Sequence, residues 1–186
     1  MLKKIALALV ILVAGLGVFV AAQPADFRVE RSALIAAPAE VVYPRIADFR
    51  AWTAWSPYEK LDAALERDYQ GRGVGSVYHW VGKKAGEGRM TLAAAEPNAR
   101  LGITADFIKP MRTTNQVEFT FQPAPEGTRV TWAMSGRKNF ITKAFCLVVD
   151  MDALVGGDFE KGLAELKRLS EAHAPSGAAE AVAAAR

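Results

Sequence analysis

This 186-residue chain predicts an α+β fold built on one curved antiparallel sheet. Three observations carry that expectation. From Asp62 onward, stretch after stretch alternates apolar and polar residues with a period of two. Helical spacing is confined to a short segment after the first strand and to one long element near the C-terminus. The loops between are short and rich in glycine and proline, as antiparallel strands with one wet face require.

The elements follow in order. Residues 1–24, "MLKKIALALVILVAGLGVFVAAQP", hold two lysines and then no charge from Ile5 to Gln23. Such a run is long enough to span a bilayer through residues 5–22. Lys3 and Lys4 ahead of it set the N-terminus in the cytoplasm and the rest on the far side. A cleaved signal ending at Val20-Ala21-Ala22 would instead release a periplasmic or secreted protein. A buried core helix is a third reading, disfavoured by so long a run without charge. Pro24 closes the segment, and "DFRVERSALI" alternates as a first strand from Asp26 to Ile35. A helix follows at Pro38, with Val41, Val42, Ile46 and Phe49 at helical spacing. Trp52 and Trp55, one turn apart, make a second short helix that Pro57 ends.

Six strands come next: "LERDYQG", "SVYHWVG", "RMTLAAAEP", "RLGITADFI", "NQVEFTFQP" and "TRVTWAMSG". With the first strand the sheet has six to seven. The long helix is "MDALVGGDFEKGLAELKRLSEA", where Leu154, Phe159, Leu163, Leu166 and Leu169 form the apolar stripe. Gly156, Gly157 and Gly162 weaken a helix and mark close approach or a bend. Residues 173–186 read as a disordered tail, leaving 26–172 as the folded domain.

Charge and cysteine usage exclude several functions. Two of 23 lysines and arginines lie in the leader, so 21 remain against 20 acids. A balance so near neutral, with no dense basic face, excludes nucleic acid as a partner. Cys146, the only cysteine, sits in "AFCLVV" as a small buried hydrophobe, and His79 and His173 are the only histidines that could activate a thiol. "GRGVG", residues 71–75, leads into a strand and not a helix, and is therefore a hairpin turn and not a phosphate loop. Asp150, Asp152, Asp158 and Glu160 lack calcium-loop spacing and suit a helix N-terminus instead. No metal and no cofactor is expected. His79 alternates away from Tyr78 and Trp80, which puts it on the opposite face. No catalytic constellation is visible, although Arg67, Tyr69 or Tyr78 could act on a bound ligand.

Two stretches, "WTAWSPYEKLDAALERDYQGRGVGSVYHWVGKKAGEGRM" and "VVDMDALVGGDFEKGLAELKRL", together with the element order, resemble the SRPBCC superfamily. More narrowly they are similar to its polyketide cyclase/dehydrase-like and START-like members. The resemblance covers about Asp26 to Ala172. It implies the helix-grip fold, in which the sheet wraps the C-terminal helix around an apolar cavity. The superfamily includes lipid carriers, hormone binders, aromatase/cyclases and co-chaperone domains, so the fold does not decide the activity.

The aromatic residues gather on the proposed inner face. The expected cavity lining is Trp52, Trp55, Tyr69, Tyr78, Trp80, Met90, Ile103, Phe107, Phe119, Trp132, Met134, Phe159 and Leu163. Of the two helical tryptophans, Trp55 is expected nearer the cavity. The first expectation for function is a membrane-tethered binder of a hydrophobic small molecule or lipid. The alternatives are a cyclase/dehydrase-type enzyme acting on a polyketide-like or aromatic substrate, and a protein-interaction or stress-related module with a filled interior. "RKNFITKAFCLVV", residues 137–149, is apolar enough to cap the cavity or to lie on the membrane with Lys138 and Lys143 at the headgroups.

Overall fold

The computed structural model describes residues 1–174, so the expected tail falls outside the described residues from 175 onward. Seven strands form one antiparallel sheet: β1 (Asp26–Ile35), β2 (Glu66–Gln70), β3 (Val77–Gly82), β4 (Gly86–Glu96), β5 (Arg100–Lys109), β6 (Thr113–Ala124) and β7 (Gly127–Arg137). Their order across the sheet is β1-β7-β6-β5-β4-β3-β2. Six consecutive strands thus meander, and β1 returns to pair with the last, Asp26 opposite Arg137 and Ile35 opposite Thr128.

The helices are α1 (Leu2–Ala22), α2 (Ala39–Ala47), α3 (Phe140–Phe145) and α4 (Met151–Glu171). Helix α1 is long and apolar enough to cross a membrane. It takes no part in the domain core, since Val20 alone among its residues is buried. Helix α2 runs from Ala39 to Ala47 with Pro44 in its interior, where the missing N–H gives up one intrahelical hydrogen bond. The tryptophan segment is not α-helical. It consists of two 3₁₀ turns, Phe49–Ala54 and Pro57–Lys60. Asp48 starts the first by accepting the Arg50 backbone N–H at 3.0 Å.

Helix α4 opens on Asp150, whose carboxylate accepts the Ala153 N–H at 3.1 Å, a helix-capping role. It lies along β1 and satisfies polar groups of that edge strand and the loop after it. Lys167 Nζ donates to Leu34 O at 2.6 Å, and Glu171 Oε1 accepts the Ala36 N–H at 2.7 Å. Arg31 of β1 reaches up to α4, with Nη2 2.8 Å from Asp152 and Nε 2.8 Å from Glu160. Gly162 lets the helix sit close: a Cβ there would lie 2.8 Å from the Trp132 ring and 3.1 Å from Pro57 Cδ. The glycine-rich turn between β3 and β4 is tighter than expected, because pairing continues to Gly82 opposite Gly86. On β4, Gly88 pairs with Trp80, whose ring occupies the place a Cβ would take.

Candidate functional site

The core centres on Trp132 of β7, which carries aromatic contacts in several directions. Its ring stacks on Phe159 of α4, with centroids 4.1 Å apart and planes 10° from parallel. It also meets Trp52, Trp55 and Tyr58 edge-on and tilts against Phe119. Each such pair adds roughly 0.5–1.5 kcal/mol beyond simple burial. Helix α4 is therefore clasped to the sheet through rings and not through aliphatic interdigitation alone.

Trp52 and Trp55 fall on one side because a 3₁₀ turn has three residues and eclipses positions i and i+3. Their rings lie 4.9 Å apart. Both indole N–H groups are spent on the same feature, the free carbonyls at the end of α2. Trp52 Nε1 donates to Ile46 O at 2.8 Å, and Trp55 Nε1 to Arg45 O at 2.9 Å.

On the open side of this cluster lies a cavity of about 350 Å³. Its walls are the inner face of β3–β7, the first half of α4, and the chain from Trp52 to Leu65. Of the expected lining residues, Trp52, Tyr78, Trp80, Met90, Phe107, Trp132, Met134 and Phe159 border it. Trp55, Ile103, Phe119, Leu163 and Tyr69 do not. Trp55 is covered by α4, beside Gly162, so Trp52 and not Trp55 reaches the space. Ile103, Phe119 and Leu163 are packed beneath the wall and effectively inaccessible. Tyr69 faces a separate depression beside Arg50, whose guanidinium carbon lies 5.2 Å over its ring.

Sequence reasoning missed the polar part of the wall. Glu59, from the second 3₁₀ turn, is buried. Its Oε1 accepts the Tyr78 hydroxyl at 2.5 Å and its Oε2 accepts Arg67 Nε at 2.6 Å. Arg67 also donates to Glu59 O and Leu65 O. Burial pushes the Tyr78 phenol well above its ordinary pKa, and the bond to Glu59 pushes further. Tyr58 is raised too, by burial and by the neighbouring Asp158 carboxylate. Both phenols stay protonated at any physiological pH. The signal for Glu59 was present in "SPYEK", where it precedes Arg67 by two helical turns of sequence, but only the chain reversal at Leu61–Leu65 brings them together.

Three further polar atoms on lining residues are buried with no partner among the described residues: Ser56 Oγ, Asn115 Oδ1 and Trp132 Nε1. Buried polar groups are ordinarily hydrogen-bonded. Each of the three atoms is closed off from the cavity by its neighbours; Asn115 Oδ1, for one, lies against Gly136.

Other candidates resolve simply. His79 is half-buried on the outer face, its Nε2 3.7 Å from Glu87. Cys146 is half-buried and not the buried hydrophobe expected, because the chain around it borders an opening and not the core. No cluster of His, Cys, Asp and Glu suited to a metal occurs among the described residues. Asp150 and Asp152 serve as helix cap and as Arg31 partner.

The cavity opens outward into a wider cleft of about 760 Å³. Phe107, Asn115, Met134 and Met151 border both spaces. The outer rim is formed by Met111 in the β5–β6 turn and by Phe145 to Val149 after α3.

A family model described as polyketide cyclase / dehydrase and lipid transport matches residues 26–171. No curated protein matches the sequence. Among solved structures, protein MLL2253 from Mesorhizobium loti is 19% identical with a TM-score of 0.59, covering 80% of this chain and 100% of its own. The Aha1 dimer from Colwellia psychrerythraea is 18% identical with a TM-score of 0.57, covering 78% and 96%. DynU16, a protein of the dynemicin biosynthetic locus, is 18% identical with a TM-score of 0.56, covering 83% of this chain and 50% of that one. These likenesses establish a shared fold, and a fold does not by itself decide an activity.

Proposed function

The chain belongs to the polyketide cyclase / dehydrase and lipid transport family over residues 26–171, and from that premise we propose that it binds a hydrophobic small molecule or lipid in the cavity between sheet and α4, held at a membrane by α1. The observation that carries the reading is the cavity itself, about 350 Å³ between sheet and α4 with a wall of aromatic and aliphatic side chains. Apolar burial supplies the affinity, and the few polar groups among the lining residues supply the orientation. A volume of about 350 Å³ suits a ring system or one short chain rather than a two-chain phospholipid. With Lys3 and Lys4 retained in the cytoplasm, the domain lies on the far side of the membrane.

The test is native mass spectrometry on the full chain purified in mild detergent, followed by solvent extraction. A small apolar species of defined mass should co-purify with the wild type. It should be lost when Ala105, buried on the cavity wall, is replaced by Trp. A chain that carries nothing, and that no apolar compound in a diverse panel stabilises, would exclude the reading.

Glu59 and Tyr78 support a second reading, a cyclase/dehydrase-type enzyme that moves a proton at a bound carbonyl compound. Both Glu59 oxygens already accept a hydrogen bond, which favours an anchoring role over a basic one. Glu59→Gln separates the two: an enzyme loses turnover and keeps binding, whereas a carrier keeps both binding and release.

A further inference from the structure

The segment from Arg137 to Val149 leaves large apolar side chains in solvent. Phe140 is 54% exposed, Ile141 62%, Phe145 49% and Val148 84%. Met111, across the cleft, is 40% exposed. An apolar surface this continuous marks a contact site. Around it stand Lys109, Arg112, Arg137, Lys138 and Lys143, and neither "KPMR" nor "RKNFITKAFCLVV" contains an acid.

The position of this patch is fixed by α1. Lys143 Nζ donates to Ala21 O in the last turn of α1 at 2.9 Å. Lys138 N donates to Ala25 O at 2.7 Å, just past the end of that helix. Helices α1 and α3 are in contact. A helix that spans a bilayer ends at the headgroups, so whatever is bonded to its last turn lies at that surface too.

We propose that α3 and the residues after it, with Met111, dock into the outer leaflet of the membrane that α1 spans, so that the cleft opens directly into lipid and the cavity exchanges its ligand with the bilayer without passing through water. The proposal rests on the reading of α1 as a retained anchor. The occupant is a bilayer carrying anionic headgroups. Phe140, Ile141, Phe145 and Val148 enter the acyl boundary, while Lys138 and Lys143 remain among the phosphates, the arrangement of an interfacial helix. Phe145 and Val148, with Lys138 and Met111, also line the rim of the cleft, so docking and access are one event. A rim left in water would force an apolar ligand across an aqueous gap; a rim in lipid removes it.

The test uses the full chain reconstituted in phosphatidylcholine vesicles, with and without phosphatidylglycerol, doped with doxyl-labelled acyl chains. A nitrobenzoxadiazole label is placed at Val148 (V148C) or, as a control, at Val74 (V74C), each in a Cys146→Ser background. Val74 lies in the β2–β3 turn and is also exposed. The label at 148 should be quenched about threefold more than at 74, and more strongly with phosphatidylglycerol, as basic interfacial segments behave. Equal quenching at the two positions overturns the proposal. So does a blue-shifted label at 148 that doxyl chains fail to quench, which would mean a protein partner or a second copy on the patch.

A second variant, F145E/V148E, changes exposed side chains and leaves the fold intact. It should slow delivery of phenylnaphthylamine from vesicles to the cavity about threefold or more, read by energy transfer from the cavity tryptophans Trp52, Trp80 and Trp132, as loss of the apolar rim requires. Energy transfer in detergent micelles should be unchanged. Unaltered delivery, with micellar transfer intact, overturns docking while binding stands. Absence of micellar transfer in the wild type would instead count against the cavity as a binding site.

Discussion

The Tyr78 hydroxyl donates to Glu59 Oε1 at 2.5 Å while Arg67 Nε holds Oε2 at 2.6 Å. A carboxylate whose side chain is 4% exposed is thereby tied to two strands and to the 3₁₀ turn it comes from. Removing one partner of a buried pair costs more than removing both. Arg67→Met should therefore destabilise by about 3 kcal/mol. The double replacement Glu59→Leu with Arg67→Met should recover at least half of that loss. Urea unfolding of the chain in detergent measures both. A double variant less stable than Arg67→Met alone would contradict the account.

Trp132 is built into the aromatic centre through its ring, and its N–H has no partner among the described residues. Trp132→Phe keeps a ring against Phe159 and deletes the donor. Stability should change by less than about 1.5 kcal/mol, as for a substitution bordering open space. Affinity for the species that co-purifies should change by less than about tenfold, since the deleted N–H is closed off from the cavity and only the ring borders it. Calorimetric titration of the two chains decides it. A larger loss would mean that the ligand reaches the indole N–H.

How much of this was legible in the sequence follows from which interactions are local. Strand alternation is local, and the sheet appears as predicted, down to His79 facing away from Tyr78 and Trp80. The glycines of α4 announced close approach, which Gly156 and Gly162 realise, against Arg31 and Trp132 respectively, while Gly157 has open space around it. Depth within the sheet is not local. Periodicity assigns Ile103 and Phe119 to the inner face of the sheet and Leu163 to the apolar stripe of α4, but cannot say which of them packing covers; Phe119 lies under the rings of Trp52, Trp55 and Trp132. The Trp52/Trp55 exchange has the same origin: a 3₁₀ turn puts both on one side, and the distant helix chooses which is covered. Glu59 was missed because a carboxylate in a turn reads as solvated, and its partners come from strands that only tertiary folding brings near.

Gly157 and Gly162 separate helix propensity from packing within one helix. A Cβ at Gly157 would meet nothing within 4 Å, whereas one at Gly162 would lie 2.8 Å from the Trp132 ring. Gly157→Ala should stabilise by about 0.5–1 kcal/mol through propensity alone. Gly162→Ala should destabilise by about 1–3 kcal/mol, the range for overpacking against rings that cannot move aside. Thermal unfolding of the pair checks the sign of each. Two stabilised variants would mean that α4 is free to lift from the sheet.

Arg31 gives the fold its clearest pH dependence. Its hydrogen bonds hold the Asp152 carboxyl below the ordinary aspartate range, against a smaller opposing effect of desolvation. A carboxyl depressed in the folded state binds its proton more readily in the unfolded chain. Stability from this pair is therefore fully present above the ordinary value of 3.8 and is lost as pH falls through the lower, folded value. Arg31→Met removes the pairing. At neutral pH the variant should be less stable than the wild type, and the gap should close as the solution is acidified below the ordinary aspartate range. In the same variant the Asp152 carboxyl, followed by NMR, should titrate at higher pH than in the wild type. Both partners are largely at the surface, so added salt should narrow the neutral-pH gap. A gap that stays constant from neutral to acid pH would assign the Arg31 contribution to its packing against Gly156 and not to its charge.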